Sequence, residues 1–104
     1  MPDKTLEKII EKILEVITPD KIILFGSRAK GTAREDSDYD LLIIQKGNES
    51  NRKIAKKLYL HFDLPVSIDF IVQTPESIQK NMKRFYSVVK EALNEGKVIY
   101  EAGS

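Results

Sequence analysis

Leu6, Ile9, Ile10, Ile13, Leu14 and Ile17 recur at helical spacing with Lys and Glu between them. The pattern predicts an amphipathic helix over about residues 4 to 17. Thr18-Pro19-Asp20 stops it, because the residue before a proline resists helical dihedrals. Ile22-Ile23-Leu24-Phe25 then reads as a buried strand over residues 21 to 25, and residues 27 to 30 as a short helix broken by Gly31. Residues 39 to 45 form a second strand whose uninterrupted apolar run, 41 to 44, suits burial on both faces. Gly47-Asn48-Glu49-Ser50 is a turn, and Ile54, Ala55, Leu58 and Phe62 mark one face of a helix over 51 to 62.

After the connector Asp63-Leu64-Pro65, Val66, Ile68, Phe70 and Val72 alternate with Ser67, Asp69 and Ile71, which is strand periodicity. Thr74-Pro75-Glu76 opens a further helix, since proline is tolerated at the first helical position. Met82, Phe85, Tyr86, Val89 and Leu93 give that helix one long apolar stripe, ended by Gly96. Val98-Ile99-Tyr100 reads as an edge strand. The order α-β-α-β-α-β-α-β predicts an α/β fold, a small mixed β-sheet with helices packed on it as one layer pair. The chain shows no internal repeat, low-complexity tract or linker.

Composition narrows this picture more by exclusion than by assertion. A length of 104 residues suits a single domain spanning 1 to 104. A net charge of +1 gives no case for a protein-wide field toward nucleic acid or membrane, so no direct partner of either kind is expected. The absence of cysteine removes disulfides, thiol catalysis and thiolate metal sites, and is compatible with a reducing cytoplasm. The charged amino terminus does not read as a signal peptide. No apolar run approaches the roughly 20 residues that a bilayer demands.

The chemistry concentrates in three places. Asp38 and Asp40 stand at i and i+2 of the second strand, hence on one face. Two such carboxylates repel unless one is protonated or a cation lies between them, and hard oxygen donors favour Mg²⁺ or Mn²⁺. Asp69 is a third acid inside the run Val-Ser-Ile-Asp-Phe-Ile-Val, where a charge seldom lacks a partner. If the second and third strands are neighbours, Asp69 completes a three-carboxylate cluster. Gly26 permits positive φ and close approach of a phosphate, and Ser27 offers a hydroxyl and an N–H at a helix start. Arg28 joins Gly26 and Ser27 as a candidate nucleotide-binding residue, and Lys30 and Arg34 add positive charge nearby. The plain alternatives are an ordinary Asp-X-Asp turn and Ser27 as a helix cap. A phosphate turn, paired acids ten residues later and a third acid beyond form the layout of two-metal phosphoryl chemistry.

Gly26-Ser27, ten intervening residues and Asp38-Tyr39-Asp40 resemble the signature of the polymerase-β-like nucleotidyltransferase superfamily. The stretch LFGSRAKGTAREDSDYDLLI is especially close to its minimal nucleotidyltransferase (MNT) family of bacteria and archaea. The resemblance covers nearly the whole chain. It implies transfer of a nucleoside monophosphate from an NTP, ATP above all, to an acceptor hydroxyl with release of pyrophosphate. By position, Asp38 and Asp40 would hold two Mg²⁺ ions. Asp69 would ligate the catalytic ion and help deprotonate the acceptor, and Gly26 and Ser27 would hold the β- and γ-phosphates.

Many MNT proteins resemble antitoxins that inactivate a HEPN-domain ribonuclease by adding AMP to one of its tyrosines. A HEPN toxin is therefore the expected partner, in a homo- or hetero-oligomer, completing a site for which this short chain supplies no second lobe. Two other functions compete: a binding antitoxin that covers its partner without chemistry, and a nucleotidyltransferase with a small-molecule acceptor. His61 and the face formed by Lys53, Lys56 and Lys57 read as solvated surface, and Tyr39, Tyr59, Tyr86 and Tyr100 as packing residues.

Overall fold

The computed structural model describes residues 4–34, 36–83 and 87–103. In chain order the elements are α1 (Lys4–Val16), β1 (Lys21–Phe25), α2 (Ser27–Lys30), β2 (Tyr39–Ile44), α3 (Asn51–His61), β3 (Ile68–Gln73), α4 (Pro75–Met82), α5 (Val88–Glu95) and β4 (Lys97–Glu101). Short polar side chains start three of the helices. Ser50 accepts the Lys53 N–H at α3, Thr74 and Ser77 form a reciprocal capping box at α4, and Ser87 accepts the Lys90 N–H at α5. Each satisfies an amide that has no partner within its own helix.

The expected single helix after Thr74 is in fact two, α4 and α5. The apolar spacing runs on as one continuous stripe, but the Ser87 cap starts a new helix, and Met82 and Leu93 stay exposed while Val89 is buried. Phe85 and Tyr86, two members of that stripe, lie outside the described residues.

The sheet has the order β3-β2-β1-β4. β1 runs antiparallel to both β2 and β4, whereas β2 and β3 are parallel, so the sheet is mixed. The uninterrupted apolar runs occupy its two central strands, and period-two alternation divides them between two cores. Ile22, Leu24, Leu41, Ile43, Phe70 and Val72 pack with Leu6, Ile9 and Ile13 of α1 and Ile54 and Leu58 of α3. Ile23, Phe25, Leu42 and Ile44 face the other way, against Ala92 of α5, with Ile71 and Ile78 alongside. Helices therefore cover both faces rather than forming one layer, because β1 and β2 carry aliphatic side chains on both sides.

Gln45, the buried polar residue at the end of β2, closes the turn that follows. Its amide nitrogen donates to the Glu49 carbonyl and Asn51 Oδ1, and its amide oxygen accepts from the Gly47 N–H. Among the described residues, no helix is long and apolar enough to cross a membrane.

Candidate active site

The site lies where β1 ends beside the start of β2. Phe25 is the register partner of Asp40, which places Gly26 against the Asp40 side chain. Gly26 has φ 75° and ψ −156°, a conformation open in practice only to glycine. A Cβ at this position would overlap Oδ2 of Asp40. The turn thus needs glycine twice, once for its backbone and once for the carboxylate lying on it. Gly26 also takes the cap position of α2, so Ser27 is its first helical residue and not its cap. The Ser27 carbonyl accepts from Thr32 N at 3.1 Å, which folds the chain back after the short helix.

Arg28 fastens the next segment. Its Nε and Nη2 both donate to the Ser37 carbonyl, at 3.2 and 2.9 Å, and its guanidinium lies 4.0 Å from the centre of the Tyr39 ring. Those two contacts flank Asp38 in sequence. Within the loop, Ser37 N donates to the Arg34 carbonyl and Arg34 N donates to Ser37 Oγ. Tyr39 N then donates to the Ser67 carbonyl, tying the strand mouth to the chain before β3. Lys30 pairs with Glu95 of α5 at 3.4 Å, an exposed link between α2 and α5.

Parallel pairing of β2 with β3 makes Asp40 and Asp69 register partners, side by side on neighbouring strands. Asp38 stands one residue ahead of β2 and is exposed, as is Asp69, while Asp40 is half-buried. The Asp40 carboxyl titrates above its ordinary value, chiefly because burial penalises its ionised form. The charges of Asp69, Asp38 and Glu91 add to that in decreasing order. Asp69 Oδ1 accepts a hydrogen bond from the Tyr59 hydroxyl at 2.9 Å, and that hydroxyl accepts the Phe70 N–H at 3.0 Å. The Tyr59 phenol is pushed up chiefly by burial; the Phe70 N–H opposes this, and the bond to Asp69 and the Asp69 charge add smaller upward effects.

Two of these residues escaped the sequence reading. Tyr59, which its sequence context marks only as a packing residue, bonds Asp69 from α3, and the Glu91 charge acts on Asp40 from α5. No local spacing marks either residue. His61 is surface as expected, with Nε2 2.7 Å from Glu15 Oε1 of α1. Of the lysines on the α3 face, Lys57 pairs with Glu49 at 2.7 Å.

Among the described residues, no three His, Cys, Asp or Glu side chains stand together as a finished metal cage. The donor set is nevertheless of the kind a hard divalent cation takes: oxygen only, mutually repelling, and partly desolvated at Asp40. Asp38, Asp40 and Asp69 are the residues that would hold it.

Comparison with known proteins gives the family and the fold. The family described as polymerase beta, nucleotidyltransferase, matches residues 7–103. The probable protein adenylyltransferase MntA of Haemophilus influenzae is 33% identical, over 80% of this chain and 77% of its own. A provisionally named protein adenylyltransferase of Methanocaldococcus jannaschii is 31% identical, over 97% of this chain and 76% of its own. The crystal structure of a toxin-antitoxin with AMP-PNP superposes with a TM-score of 0.59 at 23% identity, covering 93% of this chain and 73% of that one, which establishes a shared fold. The chain is an enzyme of the polymerase beta nucleotidyltransferase family, alongside its minimal, MntA-like members.

Proposed function

We propose that the protein is a Mg²⁺-dependent adenylyltransferase that moves AMP from ATP to a hydroxyl, a tyrosine, of a HEPN-type toxin, and so acts as its cytoplasmic antitoxin. The observation that carries this reading is the register pairing of Asp40 with Asp69 beside Gly26, with Asp38 at the mouth of the same strand. The relatives' names support the protein acceptor. The toxin-antitoxin with AMP-PNP supports the adenine nucleotide and the toxin.

The acceptor hydroxyl oxygen attacks the α-phosphorus, forming a new P–O bond as the α–β bridging P–O bond breaks. Pyrophosphate leaves with that electron pair. Asp69, exposed on its edge strand, accepts or directs the hydroxyl proton. Gly26 and Ser27 present backbone N–H groups and a hydroxyl to the β- and γ-phosphates. Arg28 holds Ser37 and Tyr39, and thereby the segment carrying Asp38, within reach of the same nucleotide. Bound Mg²⁺ supplies charge neutralisation of the triphosphate and activation of the attacking oxygen.

The test is the intact mass of a HEPN-type toxin, taken from the neighbouring gene where that gene encodes one, after incubation with ATP and Mg²⁺. One adenylyl group per modified hydroxyl is the expected gain, mapped to tyrosine by fragmentation. Silencing of the toxin without any mass change would overturn the catalytic reading in favour of simple covering. Ser27→Ala separates phosphate binding from helix capping. Loss of one hydrogen bond to a charged group is worth about 1.5–3 kcal/mol, so KM for ATP should rise roughly ten- to a hundredfold. Because Ser27 does not cap α2, the melting temperature should hold.

A further inference from the structure

We propose that Tyr59 is a positioning residue for Asp69, holding its carboxylate ready to take a divalent cation. Asp69 is exposed on β3, an edge strand, where an aspartate side chain is ordinarily free to change rotamer. Tyr59 removes that freedom from outside the sheet. Its hydroxyl accepts the N–H of Phe70 and donates to Oδ1 of Asp69, so one oxygen reads the backbone of one residue and the side chain of the residue before it. With the Phe70 N–H on a lone pair, the remaining hydroxyl hydrogen is directed at the carboxylate.

The Tyr59 ring is itself held, edge-on to Phe70 with centroids 5.0 Å apart, and Phe70 in turn meets Phe62 at 4.9 Å. The anchor is therefore the core rather than a loop. Oδ2 is left for other partners, and Asp69 stands in register beside Asp40. A hydrogen-bonded partner behind a metal ligand fixes the ligand's orientation before the ion arrives, and such partners are typically worth ten- to a hundredfold in metal affinity or activity. The inference rests on the proposed three-acid metal site.

Tyr59→Phe deletes the hydroxyl and keeps the ring packing, so the fold should persist with a small loss of melting temperature. Mn²⁺ binding, titrated by calorimetry on wild type, Tyr59→Phe, Asp69→Asn and the double variant, is expected to weaken about tenfold in Tyr59→Phe. In the Asp69→Asn background the same change should cost nothing more, because the two residues act as one unit. In turnover, kcat should fall while KM for ATP holds. Wild-type Mn²⁺ affinity in Tyr59→Phe, with Asp69→Asn impaired, would overturn the role of Tyr59 and leave the metal site standing. An equal loss in both backgrounds would overturn it too, making Tyr59 merely structural. Mn²⁺ binding unaffected by Asp38→Asn and Asp69→Asn would instead bring down the three-acid site, and this inference with it.

Discussion

Asp40→Asn should abolish nucleotidyl transfer while raising the melting temperature of the metal-free protein. The two effects share one cause. Burial and the charges of Asp69, Asp38 and Glu91 all work against ionised Asp40. That cluster suits a cation and strains the protein without one. Removing the charge relieves the metal-free fold and takes away a donor of the proposed metal site. Transfer should fall by about three orders of magnitude or more, a loss of the size seen when a reaction's main charge-stabilising group is deleted.

The stability gain should depend on pH in a defined direction. Asp40 titrates above its ordinary 3.8 in the folded chain, so the native state holds that proton more tightly than the unfolded state does. Wild-type stability from this group is complete below the ordinary value and is lost as pH rises through the raised one. Asn has no such loss. The variant's advantage should therefore be near zero at acid pH and largest, by a few degrees, at neutral pH. Thermal melts with chelator at both pH values, beside an adenylylation assay, check this; a variant less stable at neutral pH would contradict it.

Gly26→Ala should damage both the fold and the turnover with a single methyl group. Its φ of 75° with ψ −156° costs any other residue on the order of 1–3 kcal/mol. The added Cβ would also collide with Oδ2 of Asp40, so either the turn or the carboxylate has to move. A displacement of about 1 Å at a reacting group can cost roughly a hundredfold in rate. Chemical denaturation and kcat together read both effects. Gly31→Ala is a fitting control, since Gly31 also has positive φ, at 77°, but a Cβ there meets nothing within 4 Å. It should lose stability without a comparable loss of turnover.

Periodicity was enough to place most elements. Isoleucines at helical spacing made α1, continuous apolar runs made β1 and β2, and the alternation around Asp69 made β3, with boundaries that moved by a residue or two. The same rule erred after Thr74. A 3.6-residue repeat persists across two helices as readily as along one, and only the Ser87 side chain, closing on Lys90 N–H, reveals the break. The number of helical layers was equally hidden, because an apolar strand announces burial and not which helix covers it.

The chain's local order determined that Asp38 and Asp40 stand two residues apart at the mouth of a buried strand, with Gly-Ser ten residues earlier. Those facts need only covalent spacing and strand periodicity, and so they were legible without a fold. Whether Asp69 would join the pair was a question of strand order and direction, which no local rule supplies. The parallel register of β2 and β3 decided it, bringing residues 40 and 69 side by side. Tyr59 and Glu91 belong wholly to the tertiary structure. Their approach to the acids depends on how α3 and α5 pack across the sheet, and packing is set by the summed burial of two cores rather than by any neighbouring residue.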